Sequence, residues 1–196
     1  MSTHTTTAEL AHRSRTSELG FWLYIMSDMM LFAAFFATYL ILKPNTNGGV
    51  SAKDIMNPSF ALVETLILLL SSVLCGLAYI AVSHKRWREA RIWLGGTILC
   101  GIAFLSMEIH ELGTLFIEGH RWASSGFLSG FFSLVMLHGM HIFFGIIWAI
   151  ALGGALSRPK PSPHTHRRFT LFAIFWHFLD IVWIFIFTIV YLMGVL

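Results

Sequence analysis

Two short stretches carry the side chains best suited to chemistry: Glu108-Ile109-His110-Glu111 and His138-Gly139-Met140-His141. A third, Trp176-His177-Phe178-Leu179-Asp180, sets a histidine and a carboxylate three residues apart, on one face of a helix. Asp28 and Glu64 stand singly in other apolar runs. Groups of these types can hold a metal, pass protons or satisfy one another. Carboxylate-bridged di-metal bundles draw Glu from two helices and Glu-x-x-His from two more. The spacings here are Glu-x-x-Glu, His-x-x-His and His-x-x-Asp, and no Glu-x-x-His falls inside an apolar run. Intramembrane carboxylate and histidine chains mark proton relays, but a transporter usually brings repeats and broken helices, and neither is visible. The third reading is packing, with polar groups paired inside a helix bundle. The residues alone leave three options open: a membrane di-metal oxidase using Glu108, Glu111, His138 and His141, a proton transporter, or a packed non-catalytic bundle.

The elements that must position these groups are membrane helices. The chain has 196 residues, 56% hydrophobic and only 12% charged, with a mean hydropathy of +0.72. A soluble domain carries about 25% charged residues, so this composition places the chain in a bilayer. The net charge of +3 does not point to nucleic acid, because the basic residues sit in connections between apolar runs. Cys75 and Cys100 form no Cys-x-x-Cys pair and read as small apolar residues.

Crossing a bilayer takes roughly 20 apolar residues, and five stretches qualify: about 21–42, 58–82, 92–117, 127–156 and 169–196. The fold class is therefore all-α, a polytopic membrane bundle of five transmembrane helices. Residues 1–18 read as a polar tail and 19–196 as a single five-helix transmembrane domain. Asn57 is the expected N-cap of the second helix, with Pro58 in its first turn. Gly95, Gly96, Gly101, Gly130, Gly139, Gly145, Gly153 and Gly154 read as close helix contacts. With five spans, ten Lys and Arg fall on the side of the N-terminus and three (Lys43, Lys53, Arg121) on the other. That bias predicts a cytoplasmic N-terminus and a periplasmic C-terminus.

Depth follows from a rise of about 1.5 Å per residue. Asp28 and His177 each lie roughly 12 Å from the start of their spans, with Asp180 one turn deeper. Asp28, His141, His177 and Asp180 are thus expected to meet in the inner half. Glu64, Glu108 and Glu111 lie in the outer half, with His138 between the groups. The density of aromatics in "WHFLDIVWIFIF" predicts a broad face that docks on a larger membrane partner or holds lipid tails.

Five blocks in order, "GFWLYIMSD", "FALVETLILLLSS", "MEIHEL", "SGFLSGFFSLVMLHGMHIFFGIIW" and "FWHFLDIVWIFIFTIVYLMG", resemble subunit III of the heme-copper respiratory oxidases. The five-span form ending in "VYLMG" is most similar to the cytochrome bo-type, ubiquinol-oxidising branch of that family. The resemblance implies a non-catalytic subunit of a proton-pumping terminal oxidase, in a bacterial inner membrane. It also implies that the helix pair opening the family's seven-span members is missing here. It places heme and copper in the partner catalytic subunit I, none in this chain, and phospholipid on this chain's surface. The subunit III of a cytochrome c oxidase, or a homologue associated with nitric oxide reductase, is the near alternative. By motif match Glu64 is the buried Glu of the family's Val-Glu-Thr, and its implied partner is His138. Glu111 matches the Glu of the next family motif, while Glu108 and Leu112 depart from its commoner Gln-x-x-Glu-aromatic form.

Overall fold

The computed structural model describes residues 7–48, 55–157 and 165–195, with side chains from residue 18 onward. Lys53, Arg158 and Lys160, which contribute to the charge bias, lie outside the described residues. Five long helices are present: α1 Thr7–Leu42, α2 Pro58–Ser83, α3 Trp87–Ile117, α4 Gly126–Leu156 and α5 Thr165–Ile186. α5 continues through a π-helical segment, Phe187–Leu192, and a last turn, Met193–Val195. All five are long and apolar enough to cross a membrane. α1 begins at Thr7, within the stretch read as a tail, and its apolar span starts at Glu18.

Two compact units are distinguished, residues 1–34 and 35–196. The first is the leading part of α1. There the Tyr24 hydroxyl donates a hydrogen bond to Asp28, one turn on, and Ser27 Oγ returns its proton to the Tyr24 carbonyl at 2.7 Å. In lipid a hydroxyl has no water to bond, so these local bonds reduce its desolvation cost.

The second unit is a closed ring in which α2 packs on α3, α3 on α4, α4 on α5 and α5 back on α2. Asn57 is the N-cap of α2 as its position predicts: its side-chain oxygen accepts from the Ser59 and Phe60 amides at 3.2 and 3.3 Å. Two helix ends close in the same way. Gly119, at φ 88°, ends α3 with His120 N donating to the Leu115 carbonyl at 2.9 Å. Lys85, at φ 57°, ends α2 with Arg86 N donating to the Ala81 carbonyl at 2.8 Å. Both are Schellman ends, and only the first has the glycine that the left-handed residue favours.

The ring closes on one side chain. A Cβ on Gly101 of α3 would stand 3.0 Å from the Trp176 indole, and one on Gly145 of α4 would stand 2.9 Å from it. Trp176 of α5 therefore fills a slot between two glycines, and its Nε1 donates to Ser71 Oγ of α2 at 3.0 Å. Ser71 passes its own proton to the Leu68 carbonyl at 2.6 Å. Trp183 repeats the arrangement two turns on, donating to Thr65 Oγ1 at 3.0 Å, and Thr65 bonds the Ala61 carbonyl. Both indoles are fully buried. The tryptophans of α5 turn inward, while Ile181, Ile184 and Phe185 stay outside. Gly95 and Gly154, read as close contacts, meet nothing within 4 Å.

Gly145→Val is expected to destabilise the bundle by about 1–3 kcal/mol, because the Trp176 slot has no room for a side chain. The unfolding midpoint of the purified protein in mild detergent checks this, with Gly95→Val as the control that meets no neighbour.

Candidate functional site

Antiparallel packing decides which polar groups meet. Glu64 lies near the start of α2, and Glu108 and Glu111 near the end of α3, so neighbouring helices place all three at one end of the ring. The three carboxyls lie close enough to act on one another electrostatically. Glu64 and Glu108 are buried, at 0% and 2% exposure. Glu111 is half-buried and accepts a hydrogen bond from the Tyr191 hydroxyl at 2.6 Å. Glu108 packs on bare backbone: a Cβ at Gly139 would lie 2.5 Å from its Oε1. Gly139 of the His-Gly-x-His motif is thus small because a carboxyl occupies the space beside it. Neither oxygen of Glu64 has a hydrogen-bond partner among the described residues.

His138 is fully buried at the floor of this cluster. Its ring lies 5.2 Å from Trp183 and 5.8 Å, edge-on, from Phe104. Because Glu64 makes no hydrogen bond, the partnership with His138 implied by the family motif is not a hydrogen bond here. His141, one turn on, uses Nδ1 on its own helix, against the Leu137 carbonyl at 2.7 Å.

Tyr191 reaches Glu111 from the π-helical segment. The wider turn brings its ring back to within 6.3 Å of Trp183. Isolated π-turns often sit at functional sites. The sequence reading missed Tyr191, Thr65 and Ser71. An apolar run gives no sign of a π-turn, and Ser or Thr in it is equally compatible with a bond to its own helix.

A second polar group lies toward the other end. Ser72 Oγ of α2 is 2.6 Å from His177 Nδ1, and Asp180 Oδ2 is 3.7 Å from the same nitrogen. The first is a hydrogen bond, while the second is too long for one and is an electrostatic contact. Of the inner-half residues expected to gather, His177 and Asp180 therefore meet each other and Ser72. Asp28 lies in the first unit with Tyr24. α5 begins at Thr165, ahead of the apolar span, so its first residues are the polar Thr165-His166-Arg167-Arg168 and His177 keeps its place about 12 Å past Phe169.

Chemically, the carboxyl cluster consists of proton-exchanging and hydrogen-bonding groups. Among the described residues no group of three or more His, Cys, Asp or Glu is arranged to hold a metal ion. Glu108, Glu111, His138 and His141 are not gathered into such a group.

Fold and polar interior together define a polytopic helical membrane protein whose buried groups are held mainly within the bundle. Residues 3–195 match the family of cytochrome c oxidase subunit III, and the chain belongs to that family. It is 47% identical over 177 residues to the cytochrome bo(3) ubiquinol oxidase subunit 3 of Pseudomonas aeruginosa, covering 90% of this chain and 85% of that one. The Pseudomonas putida counterpart is 46% identical, with 91% and 86% covered. The cytochrome c oxidase subunit 3 of Bacillus sp. strain PS3 is 39% identical, with 90% and 85% covered.

Tyr191→Phe is expected to leave the Glu111 carboxyl without its donor and to cost ~1–3 kcal/mol. Glu64→Gln breaks no hydrogen bond and is expected to cost less than Tyr191→Phe. Unfolding midpoints of the two variants, measured side by side in one detergent, test the contrast.

Proposed function

We propose that this chain is the non-catalytic third subunit of a proton-translocating quinol oxidase in a bacterial inner membrane. The carrying observation is the identity of 46–47% to two relatives named ubiquinol oxidase subunits, against 39% and 38% for two named cytochrome c oxidase subunits; other relatives named quinol oxidase subunits span 36–41%. The whole complex oxidises ubiquinol, reduces oxygen to water and moves protons. Heme and copper reside in its catalytic subunit I, against which this chain packs. The chain stabilises that subunit and carries phospholipid on its surface. Its N-terminus faces the cytoplasm and its C-terminus the periplasm, in line with the Lys and Arg bias.

In this reading Glu64, Glu108, Glu111 and His138, with Tyr191, hold the first and last helices of the ring together rather than turn over substrate. α2 opens the four-helix ring and α5 closes it, and both contribute to one buried polar cluster. Asp28, His141, His177 and Asp180 likewise serve packing and assembly.

The test is purification of the tagged chain in mild detergent from its native membranes. A heme spectrum, co-purifying larger subunits and quinol-driven oxygen uptake are expected. Oxygen uptake with reduced cytochrome c but not with quinol would assign the chain to the cytochrome c branch. Glu64→Ala is expected to leave the heme content of the assembled complex unchanged, while lowering its yield or shortening its active lifetime during turnover. Heme loss from the assembled complex would contradict this role for Glu64.

A further inference from the structure

We infer that the notch between α2 and α5 around His177 is the seat of a transmembrane helix of the catalytic partner, which supplies a hydrogen-bonding side chain to the His177 ring. This assignment rests on the function proposed above and names the surface that function requires.

The first observation is an imidazole facing outward at membrane depth. The His177 side chain is 44% exposed, against 7% for Asp180. It lies eight residues, about 12 Å, past the start of the apolar run at Phe169, well within a hydrocarbon core of about 30 Å. Both of its internal contacts, Ser72 and Asp180, use Nδ1. Among the described residues Nε2 has no partner, so one polar atom of the ring is left to face outward. Acyl chains offer no hydrogen bond, and lipid headgroups sit at the ends of the span, not at this depth.

The second observation is the shape around that ring. A cavity of about 280 Å³ is lined by Gly76, Tyr79, Thr170, Ala173, Ile174 and His177. Gly76 is not small for the sake of the fold, since a Cβ there meets nothing within 4 Å. The contrast with Gly101, Gly139 and Gly145 is direct, because each of those makes room for a side chain of this same molecule. Small residues on a membrane helix let a neighbouring backbone approach closely. At Gly76 the approaching backbone belongs to another chain. Gly76 and Ala173 form the floor of the notch, and His177 supplies one directional bond within it. A subunit of a membrane complex has such a partner at hand, and a transmembrane helix brings both the close-packing surface and the polar group.

Site-directed photocrosslinking in native membranes tests this. A benzophenone amino acid placed at position 76 or 174 is expected to yield an adduct with the catalytic subunit. The same probe at Leu99, which is 70% exposed on α3, is the comparison position. Adducts at 76 and 174 with lipid alone, or with a second copy of this chain, would overturn the assignment. Independently, a Cβ at Gly76 meets no internal atom, and Gly76→Leu extends a side chain into the notch. It is expected to lower recovery of the heme-bearing partner roughly tenfold, the effect of losing a central interface contact. The amount of this chain in the membrane should stay unchanged. Full recovery of the partner with Gly76→Leu would also overturn it. The two readings fail differently. A wild-type chain that brings no heme-bearing partner defeats the proposed function and this assignment with it. A wild-type chain that brings the partner but crosslinks only to lipid at the notch defeats this assignment alone.

Discussion

The indole of Trp176 sits where the four helices of the ring meet. α3 and α4 each contribute a glycine to its slot, α5 carries it, and α2 accepts its N–H through Ser71. Water is not available at this depth to satisfy an indole N–H or a serine hydroxyl, so both must be paired within the protein. Ser71 does this economically, accepting from the indole and donating to its own helix. The size of the tryptophan fixes the distance between helices, and its single donor fixes their rotation.

The same logic extends along the α2–α5 seam. Thr65 meets Trp183, Ser71 meets Trp176 and Ser72 meets His177. Thr65 with Trp183 forms one rung, and the adjacent Ser71–Trp176 and Ser72–His177 pairs form a second about two turns away, in the order that antiparallel helices give. In a bilayer, helices gain little from burying apolar surface against one another, because lipid tails are equally apolar. Directional bonds and close packing therefore determine which faces meet. Both carry the four-helix ring here.

The two polar ends of the ladder differ in character. At one end, Glu64, Glu108, Glu111 and Tyr191 gather within the bundle over the aromatic floor of Phe104, Trp183 and His138. That cluster joins the first and last helices of the ring and is largely withdrawn from the surface. Toward the other end, His177 is only partly enclosed and lines the notch between α2 and α5. Polar groups turned inward serve the fold of a membrane subunit. A polar group turned outward at mid-membrane requires a neighbour.

Composition and run length by themselves determined the five membrane helices, because crossing hydrocarbon demands long uninterrupted apolar helices. The Asn57 cap and Pro58 start, the shared outer-half depth of the three glutamates and the helix contacts at Gly101, Gly139 and Gly145 were also legible, through local chemistry and antiparallel order. Ordered motifs carried the family. Tertiary structure alone decided the rotation of each helix. α4 and α5 are apolar nearly all round, so their residue pattern points to no particular face. For that reason the inward turn of Trp176 and Trp183, the pairing of Tyr191 with Glu111 through a π-helical turn, and the outward edge of His177 could not be read from spacing. Each depends on which side chain of a neighbouring helix fills the space opposite, and that is settled only when the helices pack.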